Sequence, residues 1–501
     1  MTELSQRQRS LVLAICCASM IVVVMDISIV NTALPRIHRD LNASVTGLQW
    51  TVDAYTLVLA GFLLLAGSTA DRFGRKRIFQ IGLVAFGLGS LLCGLADSIE
   101  WLIAARAVQA IGGTMLNPVA MAIIANTFTV PAERAKAIGV FGSMSGLSLA
   151  LGPILGGGLV DAFGWRSIFY INVPIVLVAV VLTTLFVPES RAPRARRFDP
   201  VGQLLVIAVL GSVVYAIIEA NRVGWTSPLI LVLLGVAVLA TVGVVVYEPR
   251  RADPLLELRL FRSVPFSSAI LMALFALCAF GAFLFVTTLY LQQVRDMSAF
   301  QAGLSLLPVG ALIALLSPYT GKFVGARGPR LPLVVSGTAL ALGGLLSLSF
   351  EPATPLVLVL AVYLLFGVFQ GTINPPITNT AVSGMPRSMS GVATSLASAG
   401  RQTGTTLGVA IAGTIVGSVR GGTAFTDSEH GVWWLVFGLG LGILALGLIS
   451  TGTWAKRTAE QAAALFEEVD AGAPAPGGQP GRRPEAKPAA QIGAPRGTRP
   501  S

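Results

Sequence analysis

Charge is what this 501-residue chain has least of: Asp, Glu, Lys and Arg together make up 12% of it, against about 25% in soluble proteins. That is too little to coat a water-exposed surface, which excludes a soluble globular fold. Histidine occurs twice and cysteine four times. His38 and His430 stand far apart, and Cys16, Cys17, Cys93 and Cys278 all fall in apolar stretches, where a thiol is ordinary packing material. Neither a metal site of the usual His/Cys spacing nor a disulfide framework is expected. No Gly-x-x-x-x-Gly-Lys-Ser/Thr stretch occurs, so ATP is excluded as a direct energy source by that route and an ion gradient becomes the default. No segment is left over for a soluble catalytic or signalling domain, so neither an enzyme nor a sensor is expected, and no cofactor.

What fills the chain instead is apolar, 54% of it. Bilayer hydrocarbon requires about 20 consecutive apolar residues per spanning helix, and fourteen runs bounded by charge or turn residues meet that need. They are Leu11–Leu34, Leu48–Ala70, Ile78–Ala96, Trp101–Thr127, Ala135–Val160, Ile168–Val187, Val201–Ile218, Leu229–Tyr247, Phe266–Gln292, Ala302–Thr320, Leu331–Phe350, Leu356–Val382, Gly391–Val419 and Val432–Thr453. The first is too long for the apolar part of a signal peptide and reads as a retained helix. The expected fold is therefore an all-α integral membrane bundle.

A net charge of +11 would suggest nucleic acid in a soluble protein, but here its distribution speaks to topology. With the N-terminus inside the cell, the inward segments hold 20 basic residues and the outward loops six, with seven more in the tail and Arg106 and Arg401 within spans. This positive-inside bias places both termini in the cytoplasm. Six of the seven tryptophans, Trp50, Trp101, Trp165, Trp225, Trp433 and Trp434, then fall at outer span ends or in outer loops, where amphipathic indoles favour the interface.

One stretch repeats. Gly67, Asp71, Arg72, Gly74 and Arg75 follow the second run, and Gly321, Gly325, Ala326, Gly328 and Pro329 follow the tenth with the same step between outer glycines. Two six-helix halves with two inserted helices between them result, and parallel repeats of this kind place a transporter's substrate site between the halves. The expected division is 1–10 as cytoplasmic N-terminus, 11–190 as first half, 191–262 as linker with the inserted pair, 263–455 as second half and 456–501 as a mostly disordered tail. The linker arginines Arg191, Arg194, Arg196 and Arg197 and the stretch 248–262 read as solvated connectors, with anionic lipid as a further partner.

The loop Gly67-Ser-Thr-Ala-Asp71-Arg72-Phe-Gly74-Arg75-Lys76-Arg77 resembles the signature of the major facilitator superfamily. Arg106-Ala-Val-Gln109-Ala-Ile-Gly112-Gly113 is similar to its fourth-helix motif, and Gly146, Gly152-Pro153 and Gly156-Gly157-Gly158 to its antiporter motif. Met25-Asp26 through Asn31 to Pro35, Asp199-Pro-Val-Gly202 and Arg401-Gln402 with Gly404 resemble the fourteen-helix drug:proton antiporters. The resemblance implies the major facilitator fold and a latch role for Gly67, Asp71, Arg72, Gly74 and Arg75, beyond the plainer one of a topology anchor. It also implies efflux rather than uptake from Gly152, Pro153, Gly156 and Gly157. Glycine and proline there remove bulk and one backbone hydrogen bond, allowing a bend and close helix contact.

Among the acids, Asp26 and Asp53 lie well inside spans and Glu219 at the edge of one. Asp26, Asp53 and Arg106 share a depth of about 8 to 12 Å. Two carboxylates and a guanidinium facing a common cavity would be poised to exchange a proton, since burial favours the neutral acid and arginine the carboxylate. A static ion pair holding helices together, or Arg106 snorkelling to the interface, is the plainer reading. Asp26 and Asp53 are the candidate groups for proton coupling and for cationic substrate. The expected function is proton-driven efflux of drug-like molecules from a bacterial plasma membrane by a monomer, with a bilayer, protons and a small molecule as partners and no nucleic acid. Export of one endogenous metabolite or lipid, and uptake by proton symport, are the alternatives.

Overall fold

A computed structural model describes residues 5–191, 199–251, 254–383, 390–416 and 422–472. Arg194, Arg196 and Arg197 of the linker, and the tail after Gly472, lie outside them. Among the described residues each apolar run lies largely in a helix: α1 (Gln6–Leu41), α2 (Val45–Phe73), α3 (Arg75–Gly94), α4 (Ile99–Thr127), α5 (Pro131–Phe163), α6 (Ser167–Phe186, broken at Ile171), α7 (Pro200–Val223) and α8 (Pro228–Tyr247). These are followed by α9 (Val264–Val294), α10 (Ala299–Arg327), α11 (Arg330–Ser347), α12 (Leu356–Val382), α13 (Ser390–Val416) and α14 (Gly422–Ser450). Eleven of these are long and apolar enough to cross a bilayer among the described residues, and α2, bent by 54°, makes twelve. The remaining two, α5 and α13, are helices of 33 and 27 residues over the fifth and thirteenth runs. A short helix, α15 (Thr453–Gly472), follows and docks on α9 where Val264 N–H donates to Thr458 Oγ1 at 3.0 Å.

Helix starts follow local chemistry. Ser5, Ser44, Ser98, Ser227 and Ser298 each accept a backbone N–H in the first turn, with Ser5 and Ser298 in full capping boxes. The repeated loop is repeated in conformation also: Gly74 (φ 111°) closes α2 and Gly328 (φ 85°) closes α10, both in the region that favours glycine.

The two halves are alike in their pairings. In the first, α1 packs on α4, α5 and α6, α3 on α4 and α6, and α2 on α4. Adding eight to each number gives the pairings of the second half, α9 with α12, α13 and α14, α11 with α12 and α14, and α10 with α12. Between halves, α2 packs on α13 and α5 on α10, which the same operation exchanges. The α7–α8 hairpin leans on α2 and α13, where Trp50 Nε1 donates to Glu219 at 3.1 Å.

Several boundaries differ from the sequence reading by a turn or more, and two of them bear on buried acids. Helix α1 continues past Leu34 to Leu41, through Pro35 and the charged residues after it. Helix α14 starts at Gly422 instead of Val432, so Glu429, which precedes the apolar run, is helical and fully buried. Packing against the aromatic rings of the second half holds this polar turn in the bundle, which local hydropathy does not register.

Candidate functional site

Call the side on which α1 begins the terminal face, and the opposite side the far face. In the first half, α1 brings Asp26 and α4 brings Arg106 together as an ion pair, 0% and 1% exposed. Arg106 also donates from Nε to the Thr51 carbonyl at 3.1 Å and from Nη1 to Gln109 Oε1 at 2.6 Å. Gln109 Nε2 in turn donates to Asp26 Oδ1 and to Ser90 Oγ, both at 2.8 Å, and Asn172 Nδ2 of α6 approaches Asp26 Oδ1 at 3.4 Å. The Tyr55 ring lies under the guanidinium with its centroid 4.1 Å away, a cation–π contact. Four helices thus surround one carboxylate with a cation, two amides and an aromatic face, the arrangement a buried charge requires. Tyr55, Ser90 and Asn172 escape sequence reasoning because a polar residue in an apolar run has no facing until helices are packed.

The structure does not bring Asp53 to this network. Gln49, Asp53 and Thr56 share one face of α2 by their three- and four-residue spacing, and Tyr55 points away from it. That face meets α13: Gln49 Nε2 donates to the Ala410 carbonyl at 2.8 Å, and Thr406 Oγ1 bonds Thr56 Oγ1 at 2.9 Å. Asp53 sits between them, fully buried, in the contact between halves. Its Oδ2 has no hydrogen-bond partner among the described residues, and Thr56 Oγ1 is 3.5 Å from its Oδ1.

The glycines of α5 make the same contact possible further along. Gly152 and Gly156 leave room for Ser28, Ile29 and Thr32 of α1. A Cβ on Gly157 would fall under 3.0 Å from the Ala299 carbonyl of α10, and one on Gly303 of α10 equally close to the Pro153 carbonyl. Close helix approach of this kind needs small residues on both sides. Phe300 N–H donates to Asp161 at 2.9 Å and Gln292 Nε2 to the Thr32 carbonyl at 2.9 Å, closing the seal. All these contacts lie in the far-face portions of their helices. Toward the terminal face the glycines of these helices lack such close neighbours: a Cβ on Gly67, Gly139, Gly142, Gly321 or Gly325 would meet nothing within 4 Å.

The signature loop is tied within its own half. Arg75 reaches Asp71 through Nε at 3.1 Å and Nη2 at 2.9 Å. Glu189, after α6, accepts from Lys76 N at 3.1 Å, lies 3.8 Å from Arg77 and fills the space beside Gly74. Arg72 is exposed beside Phe73. Glu189 is a second acid in this cationic turn that the sequence reading did not find, since 113 residues separate it from Lys76. Arg401 of α13 is half-buried and donates to Ser398 at 2.8 Å.

Known proteins share both fold and sequence with this chain. A bacterial homologue of the human lysosomal transporter Spinster, in an inward-facing and unoccupied conformation, superimposes with a TM-score of 0.60 at 17% identity over 93% of this chain and 99% of that one. The peptide transporter POT in complex with sulfate gives 0.64 at 14% identity over 91% and 95%. In sequence, the chain is 38% identical to multidrug resistance protein Stp of Mycobacterium tuberculosis over 81% of this chain and 76% of that protein. It is 38% identical to the puromycin resistance protein pur8 of Streptomyces alboniger over 84% and 83%. With the tetracenomycin C resistance and export protein of Streptomyces glaucescens it shares 36% over 81% and 75%. The family description Major Facilitator Superfamily matches residues 16–409. With helix pairings repeated between halves, a buried charge network in one of them and this match across most of its length, the chain belongs to the major facilitator superfamily.

Proposed function

We propose that the chain exports drug-like, amphipathic or cationic compounds in exchange for protons, from a bacterial plasma membrane with the terminal face in the cytoplasm. The observation that carries this reading is the Asp26–Arg106 network, a fully buried carboxylate answered by one arginine in a membrane span, where ionisable residues mark ion pathways by default. Relatives named for multidrug resistance and for export support efflux as its direction, and the basic residues of the terminal face support the orientation. The molecule is a carrier, its substrate a small molecule taken up between the halves.

In that orientation the far-face seal closes the protein to the outside and leaves it open to the cytoplasm, the state in which an exporter loads. A proton reaching Asp26 removes the charge that Arg106 answers and frees the guanidinium, Gln109 and Asn172 to re-pair. Asp53 adds a second coupling point. As a neutral acid it is tolerated in the α2–α13 contact, whereas its ionised form favours parting those helices and admitting water from outside. The Asp71–Arg75 loop, held by Glu189, is positioned to engage the second half when the terminal face closes.

In everted vesicles, Asp26→Asn is expected to insert normally and to lose both substrate-induced proton release and active efflux. Concentrative, uncoupler-sensitive efflux by that variant would remove Asp26 from the coupling role. Reporter fusions after Arg77, Arg197 and Arg330 should read as cytoplasmic and those after Asp97 and Arg222 as external; the reverse pattern overturns the orientation. A second reading, export of one compound, is favoured by relatives named for puromycin and for tetracenomycin C. Growth inhibition across cationic dyes, biocides and antibiotics separates the two, a single protected compound supporting the second.

A further inference from the structure

The second half holds a carboxylate that the coupling scheme above does not use. Glu429 of α14 is 0% exposed, and neither of its oxygens has a hydrogen-bond partner among the described residues. Around it lie Tyr290 and Thr287 of α9, Tyr363 of α12, Phe350 after α11, and Trp433 one turn along α14, all buried. Phe350 links them, its ring centroid 5.7 Å from that of Tyr290, 6.3 Å from Tyr363 and 6.2 Å from Trp433. The Tyr363 hydroxyl, the Thr287 hydroxyl and the Trp433 indole N–H are likewise without hydrogen-bond partners. The indole leans toward Glu429 without reaching hydrogen-bond geometry.

The pairing repeat says what this site corresponds to. In the first half, α1, α4 and α6 surround Asp26; in the second, α9, α12 and α14 surround Glu429. Arg106 stands seven residues from the start of α4, as Tyr363 does from the start of α12. Where one half has an arginine, the other has a phenol and an aromatic box. An ionised carboxylate without a cation is costly in such surroundings, so the box holds Glu429 stably as the neutral acid. Arg295 reaches the box through Tyr290, donating to the Tyr290 hydroxyl at 3.3 Å and to the Thr354 carbonyl, and Tyr290 in turn donates to the Glu351 carbonyl at 2.8 Å. Asp427 and His430 are the titratable neighbours on the same helix, while the facing portions of α11 and α13 contribute none.

We infer that Glu429 is a proton-binding site of the second half, loaded from the far face and shielded from it by Tyr290, Phe350 and Tyr363. The O–H bond forms at a Glu429 carboxylate oxygen when the box is open to water, and the proton returns to water when it opens again. Glu429 lies about 10 Å along α14 from its first residue, so the opening required is local. This deepens the proton-antiport reading and rests on it for its role in transport, but protonation itself is testable without transport.

Trp433 supplies a reporter. Purified full-length protein, titrated from acid to alkaline pH, should show a tryptophan emission change that disappears in Trp433→Phe. The change should also vanish in Glu429→Gln, persist in Asp26→Asn and His430→Gln, and move its midpoint in Glu429→Asp. A change that survives Glu429→Gln, or that vanishes with His430→Gln, overturns the assignment, as does wild type with no Trp433-dependent change. If Glu429→Gln does not fold, Glu429→Asp decides, an unmoved midpoint counting against the site. In vesicles, substrate-induced proton release per substrate should fall in Glu429→Gln; unaltered release removes it from coupling. Wild type that releases no protons while its emission still titrates would sink the antiport reading and leave the site standing.

Discussion

The two halves share their helix pairings and differ in what they do with a buried acid. The first surrounds Asp26 with donors, Arg106, Gln109 and Asn172. The second surrounds Glu429 with rings, and the stack of Phe283 on Phe366 at 4.0 Å continues that aromatic column along α9 and α12. A guanidinium and two amides answer the charge of a carboxylate buried in low dielectric. A carboxyl among rings retains its proton until water arrives. One architecture thus supports an acid that re-pairs and an acid that waits, carried on α1 in one half and on α14, the counterpart of α6, in the other, with Arg106 and Tyr363 at corresponding places on α4 and α12.

The largest expected effect comes from removing the cation of the first half. Arg106→Ala leaves Asp26, Gln109 and the Thr51 carbonyl without their donor, and should cost about 3–5 kcal/mol in thermal unfolding in detergent, along with all transport. Arg106→Lys should recover part of the stability and little of the transport, since a point charge replaces neither the Thr51 nor the Gln109 contact. If Arg106→Ala melts like wild type, the pair contributes nothing to the fold and the contrast between halves collapses.

A smaller effect is expected at the seal. Gly157→Ala and Gly303→Ala each place a methyl against backbone of the opposite half, an overpacking worth about 1–3 kcal/mol against the far-face-closed state. Because only that state is penalised, labelling of a cysteine placed at Asp161 should rise in both variants while expression holds. Unaltered labelling would mean that the halves do not part along α5 and α10.

Glu429→Gln sharpens the comparison by doing little to stability. A neutral amide replacing a neutral acid should leave the melting transition within about 1 kcal/mol of wild type, where Asp26→Asn is expected to cost more. A strongly destabilised Glu429→Gln, with a normal Asp26→Asn, would exchange the roles of the two acids.

The smallest stability effect belongs to Asp71→Asn. Its pair with Arg75 is partly exposed, and such pairs contribute about 0.2–1 kcal/mol. Transport should nevertheless fall in vesicle assays, because the loop acts on the balance between conformations; wild-type rates would reduce it to a topology anchor.

Much was legible in the chain itself. Fourteen apolar runs became helices because hydrocarbon leaves a backbone few alternatives to internal hydrogen bonding, and the pattern of basic residues predicts an orientation that reporter fusions test. The Asp26–Arg106 pairing was within reach, since both are intramembrane charges on neighbouring helices and neither is tolerated alone. Asp53 was misjudged in its surroundings: depth along a helix is readable from residue count, but rotation about the helix axis is not. Asp53 and Tyr55 stand two positions apart, yet one faces α13 and the other Arg106.

Composition and spacing by themselves therefore determined that this is a helical membrane protein, how its helices are ordered and which charges lie at membrane depth. These follow from the solvent, which acts on each segment separately. Only the tertiary structure decided that α14 begins a turn and more before its apolar run, that Glu429 is buried and that Tyr363 takes the place of Arg106. It also decided which face of α5 seals against α10. Those outcomes depend on which helices become neighbours, and the atoms that settle them are far apart in sequence: Tyr363 of α12, Trp433 of α14 and Phe350 of the turn after α11 close around Glu429.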